Sequence, residues 1–285
     1  MKPTENFPKA TDETAHFPCL FAKIRYNKTI QPIAVSLFYY PKSAEPLGFF
    51  VSIGGKMRVA IFIDGAFFIK RVRHFEPQHT YNAKRMADLA FSMAIAHLNP
   101  KKKAQSDELY RIFFYDCPPL EKKMHNPITK KAVDFGQSQE AIFRKKLHQE
   151  IIKKRKFALR LGKLSDTSVA WHIKPAVQQL LLKNKKAWHE LDENDVAINV
   201  SQKGVDMRIG LDIASVTLKK QVDKIILISG DSDFVPASKL ARREGMEFVL
   251  DPMWQKIPDD LFEHIDGLTS TYVRKVLSDN SPLTP

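Results

Sequence analysis

The feature that most constrains this chain is a short apolar run at residues 225–228, which ends abruptly in Ser-Gly-Asp-Ser-Asp at residues 229–233. A β-branched run of this length, bounded by turn residues, predicts a strand buried on both faces, as in a parallel sheet. In open α/β sheets, ligands bind in the crevice outside the carboxyl ends of the strands. The run therefore places Asp231 and Asp233 at the edge where function is expected. The alternative is an Asx-turn that only caps the next helix, and this run alone does not decide between the two.

Two further segments supply acidic side chains. The run at 58–63 predicts another buried strand, and it ends in Asp64-Gly65. Asp206 and Asp212 flank the start of a helix that is predicted by apolar residues at helical spacing, namely Val205, Ile209, Ile213 and Val216.

Parallel strands joined by helices can bring Asp64, Asp206, Asp231 and Asp233 to one edge of a sheet. Carboxylates packed together repel each other unless they are protonated or bridged by a cation. Hard divalent cations such as Mg²⁺ and Mn²⁺ prefer oxygen ligands. The four acids together therefore predict a metal site more strongly than any one of them does.

The remaining pattern from residue 57 onward also alternates between strands and helices, which predicts an α/β fold with a parallel sheet flanked by helices. Asp116 follows a predicted strand and precedes Cys117-Pro118-Pro119, so we expect it to have a turn role. The other predicted elements are helices at 83–98 and 235–244, strands at 109–115, 196–200 and 246–250, and a closing helix or strand at 261–272.

The amino-acid composition limits the kinds of molecule that this protein can bind and the kinds of site that it can contain. The net charge of +13 suits a polyanion, with nucleic acid as the first candidate and an anionic membrane surface as the alternative. Two cysteines are too few for a disulfide framework or a zinc site. No apolar run has the length of a membrane span, so we expect a soluble, cytoplasmic protein. The oligomeric state stays open, and a homo-oligomer is compatible with the sequence.

A basic segment interrupts the α/β alternation at about 120–190. Between 144 and 163 it carries nine basic residues and one acid, which predicts an amphipathic helix with a polar face of one charge sign. Such a face suits contacts to RNA phosphates, whereas a solvated face and a membrane-surface helix are the alternatives. Trp171 and Trp188, just beyond, are expected in the core. The predicted RNA-binding residues are Lys145, Lys146, Lys153, Lys154, Arg155, Lys156 and Arg160.

Three motifs resemble those of NYN domains, which are PIN-like, LabA-type nucleases. They are Asp64-Gly65 after a strand, Lys203-Gly204-Val205-Asp206 at a helix start, and residues 229–234, and the family usually carries them in this order. The resemblance covers roughly residues 58–251. Many members have Asn soon after the first Asp-Gly, where this chain has Ala66-Phe67-Phe68.

The resemblance implies a PIN-like (Rossmann-like) fold and a metal-dependent ribonuclease that acts on RNA, with single strands favoured. It implies that Asp64, Asp206, Asp231 and Asp233 hold Mg²⁺ or Mn²⁺. Lys203 is then expected to meet a phosphate and Ser229 to orient Asp231 or water on the metal. Asp212 either pins its helix or acts as an outer-shell residue.

The boundaries follow from changes in pattern. Residues 57–277 are predicted to form the nuclease domain and residues 278–285 a tail. Gly54-Gly55-Lys56 would be encoded by purine-rich codons ahead of Met57, which resembles a ribosome-binding site before a start codon, so residues 1–56 are either a mis-called extension or a β-rich appendage with strands at 33–40 and 48–53.

Two other functions stay open at this stage. The first is a non-catalytic RNA-binding or scaffold protein of the same fold. The second is a metal-dependent phosphatase, because Asp231-Ser232-Asp233 has the Asp-x-Asp spacing of haloacid-dehalogenase-type enzymes, although their motif lies near the start of the domain.

Overall fold

The computed structural model describes residues 56–98, 106–164 and 169–272. These residues belong to one compact unit, Ile53–Pro285. The strands predicted at 33–40 and 48–53, the choice between an extension and an appendage before Met57, and the tail at 278–285 lie outside the described residues.

Strands and helices alternate along the described chain. The strands are β1 (Arg58–Asp64), β2 (Glu108–Asp116), β3 (Lys123–His125), β4 (Ala132–Asp134), β5 (Phe157–Leu161), β6 (Lys163–Leu164), β7 (Ala170–Ile173), β8 (Val196–Asn199), β9 (Gln202–Lys203), β10 (Lys224–Ile228), β11 (Glu247–Asp251) and β12 (Gly267–Leu268). The α-helices are α1 (Gly65–Phe75), α2 (Ala83–Leu98), α3 (Gln139–Ile152), α4 (Pro175–Leu182), α5 (Val205–Leu218), α6 (Val235–Arg243) and α7 (Asp259–Phe262).

Six strands form one parallel sheet in the order β12-β11-β10-β1-β2-β5. The register places the ends of neighbouring strands side by side: Asp64 pairs with Tyr115, the next-to-last residue of β2, and Ile228 pairs with Asp251. The carboxyl ends of β1, β2, β10 and β11 therefore form one edge, which we call the carboxyl edge. The α/β fold with a parallel sheet flanked by helices is confirmed.

The sheet is buried on both faces, which explains its nearly continuous apolar runs. Val59, Ile61 and Ile63 of β1 pack with side chains of α1, α2 and α3 in one core cluster. Ala60 and Phe62 point to the other face and pack with α5 and α6. Among the described residues, no helix is long and apolar enough to cross a membrane.

Most predicted elements are present near their predicted positions. The helix at 83–98 and the strands at 58–63, 225–228 and 246–250 are observed, with ends shifted by at most one residue in each case. The region 261–272 holds the end of α7 and the short strand β12. The strand predicted at 196–200 is β8, but it pairs antiparallel with β7 outside the main sheet.

The long basic helix predicted for 144–163 is wrong in its second half. Helix α3 ends at Ile152, and the chain turns at Lys156, which has a positive φ of 63°. Residues 157–161 then form the edge strand β5, because Phe157 and Leu159 pack against the core on one face of the sheet while Ala158 packs against the core on the other. Within the described residues, the interruption between Leu120 and β8 is thus a mixture of the helices α3 and α4, a β3–β4 hairpin and short strands.

Gly65 generates a testable prediction for the fold, because a Cβ there would lie 2.4 Å from the carbonyl oxygen of Tyr115 and 2.8 Å from the Phe114 ring. Gly65→Ala should lower the free energy of unfolding by about 1–3 kcal/mol through overpacking. Gly210→Ala in α5 is the matched control, since nothing lies within 4 Å of its Cβ position, and it should be neutral or stabilising by up to about 1 kcal/mol. Urea denaturation of both variants measures this, and equal effects would contradict the packing assignment.

Candidate active site

Asp64 connects the first and third motifs. It is the last residue of β1 and caps α1, since Phe67 N donates to its Oδ1 at 3.1 Å. Ser229 Oγ, which follows β10, donates to its Oδ2 at 3.3 Å. Burial raises the pKa of Asp64 to about 6, and the nearby charge of Asp206 adds to the rise. The first acid is therefore held in place by the strand end that carries the third motif.

Asp206 lies in the first turn of α5, after Gly204 with a positive φ of 77°. The residue as a whole is exposed. Its carboxyl nevertheless has a raised pKa, because it is partly removed from water and because the charges of Asp231 and Asp233 are close. The second motif is thus electrostatically coupled to the third, as Asp64 is coupled to the second.

Asp231 and Asp233 lie in the turn after β10, and both are exposed. Asp233 N donates to Asp231 Oδ1 at 3.1 Å, so the Asx-turn expected as an alternative is present. That turn occupies one oxygen of Asp231 and leaves the Asp233 carboxylate to face the solvent and Asp206. Capping and an acidic cluster therefore coexist in this turn.

These four carboxylates, Asp64, Asp206, Asp231 and Asp233, are called the acidic cluster below. Within the described residues, no three His, Cys, Asp or Glu side chains lie close enough together to hold a metal ion. The donor chemistry nevertheless fits a hard divalent cation, because all four ligands are carboxylates, and burial together with their mutual repulsion raises the pKa of Asp64 and of Asp206. The acidic cluster thus supplies suitable ligands for a cation, but in this structure its carboxylates are too far from each other to bind one ion together.

The order of the three motifs and the fold are those of a known protein family. The NYN domain family model matches residues 58–270. The chain belongs to the NYN domain family. NYN domains have a PIN-like nuclease fold and are generally nuclease-like hydrolases.

The chain was also compared with curated proteins and with solved structures. No curated protein matches the sequence. The chain is similar to a solved protein of unknown function from Vibrio parahaemolyticus RIMD 2210633, at 15% identity and a TM-score of 0.36, over 75% of this chain and 93% of that one.

Asp116 of this NYN domain is also at the carboxyl edge, yet it is neutralised. It is fully buried and forms an ion pair with Arg144, and His148 Nε2 lies 2.8 Å from its other carboxylate oxygen. Arg144 is also bonded to Glu140 at 2.8 Å, and Glu140 in turn to Arg73 at 2.7 Å. The expected turn role is wrong, because this carboxylate ties β2 to α3.

Asp212 pins its helix to the sheet. Tyr115 Oη donates to Asp212 Oδ2 at 2.7 Å, and Arg160 Nε lies 3.3 Å from the same oxygen. Burial and this hydrogen bond raise the pKa of Tyr115. Asp212 thus joins α5 to β2 and β5, which matches the first of its two expected roles.

The predicted RNA-binding residues are largely engaged within the protein. Lys145 pairs with Glu121 at 2.9 Å and Lys153 with Glu150 at 2.7 Å. Further contacts join Lys154 to Asp88, Lys156 Nζ to the carbonyl oxygen of Leu109, and Arg160 to Asp212. In the described part of the chain, no ion pair involves Lys146 or Arg155, and both are exposed.

The basic turn at 153–156 also lies away from the acidic cluster. It leads into β5, whose first residue, Phe157, pairs with Ile112, four residues before the end of β2. At about 3.3 Å per residue, the turn is roughly 13 Å back from the carboxyl edge. The structure therefore does not bring this part of the predicted RNA contact to the acids.

Lys163 was not among the site residues predicted from the sequence. The prediction that Trp188 lies in the core is wrong. Lys163 of β6 pairs directly with Lys203 of β9, beside the second motif. Trp188 is 71% exposed, whereas Trp171 is partly buried against Phe135, with ring centroids 5.8 Å apart. The one sequence feature that points to Lys163 is the glycine before it. A Cβ on Gly162 would meet Val205 at 2.7 Å and the carbonyl oxygen of Lys203 at 3.0 Å, so the glycine marks the close approach of the two segments.

The raised pKa of Asp64 predicts a pH-dependent effect on stability. Because the folded protein holds this proton up to about pH 6, stability from Asp64 is present at low pH and is lost as the pH rises from about 4 to 6. Asp64→Asn keeps the cap and has no charge to bury. In metal-free buffer it should be more stable than wild type at pH 8, by on the order of 1–2 kcal/mol, and equal near pH 4.

Thermal melts from pH 4 to 8 test this, with Asp192→Asn as the control, since Asp192 is exposed and lies outside the acidic cluster. A stability difference that does not vary with pH would contradict a buried, proton-binding Asp64.

Proposed function

We propose that this NYN domain is a metal-dependent ribonuclease that cleaves RNA internally. The observation that carries the proposal is the coupling of the three motifs at one edge: Asp64 is bonded to Ser229 and repelled by Asp206, which is repelled by Asp231 and Asp233. Four acidic side chains drawn from separate segments raise the energy of the protein unless a cation joins them.

Asp64, Asp206 and Asp231 would hold Mg²⁺ or Mn²⁺, with Asp233 completing the ligand set. When bound, such an ion stabilises the charge that develops on the phosphoryl oxygens and makes water a stronger nucleophile at neutral pH. Asp231 and Asp233 are exposed and belong to one short turn. They are therefore the ligands best able to move toward Asp64 and Asp206, which a strand end and a helix hold.

The protein's own groups position the substrate. Ser229 Oγ donates to Asp64, so its role in this proposal is to orient Asp64 rather than Asp231. Lys203 is the first residue of the second motif and is exposed, in reach of a phosphate that approaches the carboxyl edge. The net charge of +13 favours an RNA polyanion generally and makes binding sensitive to salt. A cytoplasmic location is part of the same proposal.

A non-catalytic RNA-binding protein is the second candidate. It is favoured by the finding that, among the described residues, no three ligands are already close enough to hold an ion. In that case the acids would shape the surface without binding metal, and RNA would be bound and released intact.

Cleavage assays separate the two. We expect wild-type protein to cut labelled single-stranded RNA with Mg²⁺ or Mn²⁺, but not with EDTA, and to act on single-stranded DNA more weakly. Asp206→Asn and Asp231→Asn should each reduce kcat at least about 100-fold, since each removes a charged ligand. RNA affinity in EDTA should stay within about threefold, because it depends on basic groups. Asp192→Asn is the matched control and should cleave like wild type.

Thermal shift gives a second measurement on the same proteins. Mn²⁺ should stabilise wild type and Asp192→Asn more than Asp206→Asn or Asp231→Asn, since only the intact acidic cluster binds the ion in the folded state. RNA binding without cleavage and without any metal-dependent shift would establish the non-catalytic alternative instead.

A further inference from the structure

A cavity of about 400 Å³ opens beside the carboxyl edge, between the start of α3 and the small strands β6, β8 and β9. Its volume lies within the range of small-molecule sites. Pro118 and Pro119 form one wall and follow Asp116 at the end of β2, while Gln202 forms another and precedes Lys203. The cavity is therefore continuous in the chain with two segments that lead to the carboxyl edge.

The walls combine flat apolar surfaces with a few polar groups. Leu120 and Phe135 join the two prolines on the apolar side, and Gln202 and Arg144 supply hydrogen-bonding groups. Arg144 is held in place by Asp116 and Glu140. In the described structure, the Gln202 side chain has no hydrogen-bonding partner. A planar ring with polar atoms along its rim fits this lining, and an unpaired nucleobase is such a ring.

Two lysines adjoin the cavity, since Lys163 and Lys203 are next in the chain to Leu164 and Gln202, which line it. Lys163 and Lys203 are directly opposite each other in the antiparallel β6–β9 pair, and both are exposed. Like charges directly opposite on paired strands are destabilising. Neither lysine forms an ion pair within the ranges that the structure describes. An anion placed between them would remove the repulsion, and a phosphodiester has that charge.

The strands that carry these lysines are held close to α5. A Cβ on Gly162 would lie 2.7 Å from Val205 and 3.0 Å from both the Cys117 sulfur and the carbonyl oxygen of Lys203. Gly162 N also donates to the carbonyl oxygen of Asp116 at 2.8 Å. This close packing fixes the order from cavity to lysine pair to Asp206, over the five residues from Gln202 to Asp206.

We propose that the cavity binds an unpaired base of single-stranded RNA, and that the phosphate next to this base lies between Lys163 and Lys203. The strand then continues past Gly204 to Asp206, so the base flanks the bond that is cut. The proposal rests on the proposed function for the identity of the strand, but base binding requires neither metal nor cleavage. It gives this NYN domain a fixed register on its substrate.

Binding of short RNAs in EDTA tests the proposal. We would measure the affinity of the full chain for a set of single-stranded RNAs of about ten nucleotides, each lacking the base at one position. For wild type, one position should be far more sensitive than the others, with a loss of about tenfold, which is the order expected for a base that stacks on an aromatic side chain, and Phe135 lines the cavity.

Val200→Trp fills the cavity, since Val200 lines it, and should abolish the sensitivity at that position. Leu182→Trp is the matched control, because Leu182 is 84% exposed in α4 and does not line the cavity; it should behave as wild type. Gln202→Ala is a milder variant that tests the same wall if Val200→Trp does not fold, and it should weaken the sensitivity. Lys163→Gln should lower the slope of log affinity against log salt by about 0.7.

The outcomes distinguish failure of the base-binding proposal from failure of the ribonuclease proposal. Equal tolerance of every missing base by wild type, or unchanged sensitivity in folded Val200→Trp or Gln202→Ala, would overturn the base-binding cavity even if RNA is cleaved. One sensitive position in wild type, with its sensitivity abolished in Val200→Trp or weakened in Gln202→Ala, would support it even if no RNA is cleaved with Mn²⁺, in which case only the ribonuclease proposal would fail.

Discussion

The parallel pairing of β1 with β10 on one side and β2 on the other is the constraint on which the rest of the structure depends. It is made by residues buried on both faces of the sheet, so it has a strong apolar driving force and little freedom of register. A shift of one residue would exchange the two faces of the core. Because the register is fixed, Asp64 and Ser229 meet at the carboxyl edge, and α1 and the turn at 232–234 start beside each other.

The acids near this edge fall into two groups according to their partners. Asp116 is paired with Arg144 and His148, Asp212 with Tyr115 and Arg160, and Asp251 is 2.8 Å from His97 and accepts from Thr271. These three carboxylates hold the layers together. In the described structure, the acidic cluster has no such basic partners. That contrast distinguishes carboxylates that stabilise the fold from those that destabilise it, and the second kind are the ones expected at functional sites.

Much of the sheet and of the acidic cluster could be predicted from the sequence, because both depend on local patterns. A buried strand that stops at Gly-Asp or Asp-Gly shows where its carboxyl end lies, and the period of Val205, Ile209 and Ile213 defines the helix behind Asp206. The partners of Asp116 and Asp212 could not be predicted, because they come from residues up to 97 positions away and depend on tertiary packing.

The prediction of one continuous helix at 144–163 was wrong for a different physical reason. Lysines and arginines are compatible with helix, turn and exposed strand, so their run contains little information on secondary structure. The break comes from Lys156 in a left-handed conformation, which no residue type in the sequence signals, and from the pairing of Phe157 and Leu159 with β2. The exposed Trp188 was missed for a similar reason, since burial of an aromatic residue depends on what packs over it.

The connectivity of the sheet also has a consequence for how the chain acquires its structure. β1 lies at the centre, but its partner β10 comes late, and the contact between Arg58 and Asp223 joins residues 165 positions apart. During synthesis, β1 therefore has one side without its neighbour until most of the chain has emerged. Folds with such non-local pairing form slowly and expose apolar strand edges on the way. From the strand order that assembles the acids at one edge, we therefore expect a nascent chain that is prone to aggregation.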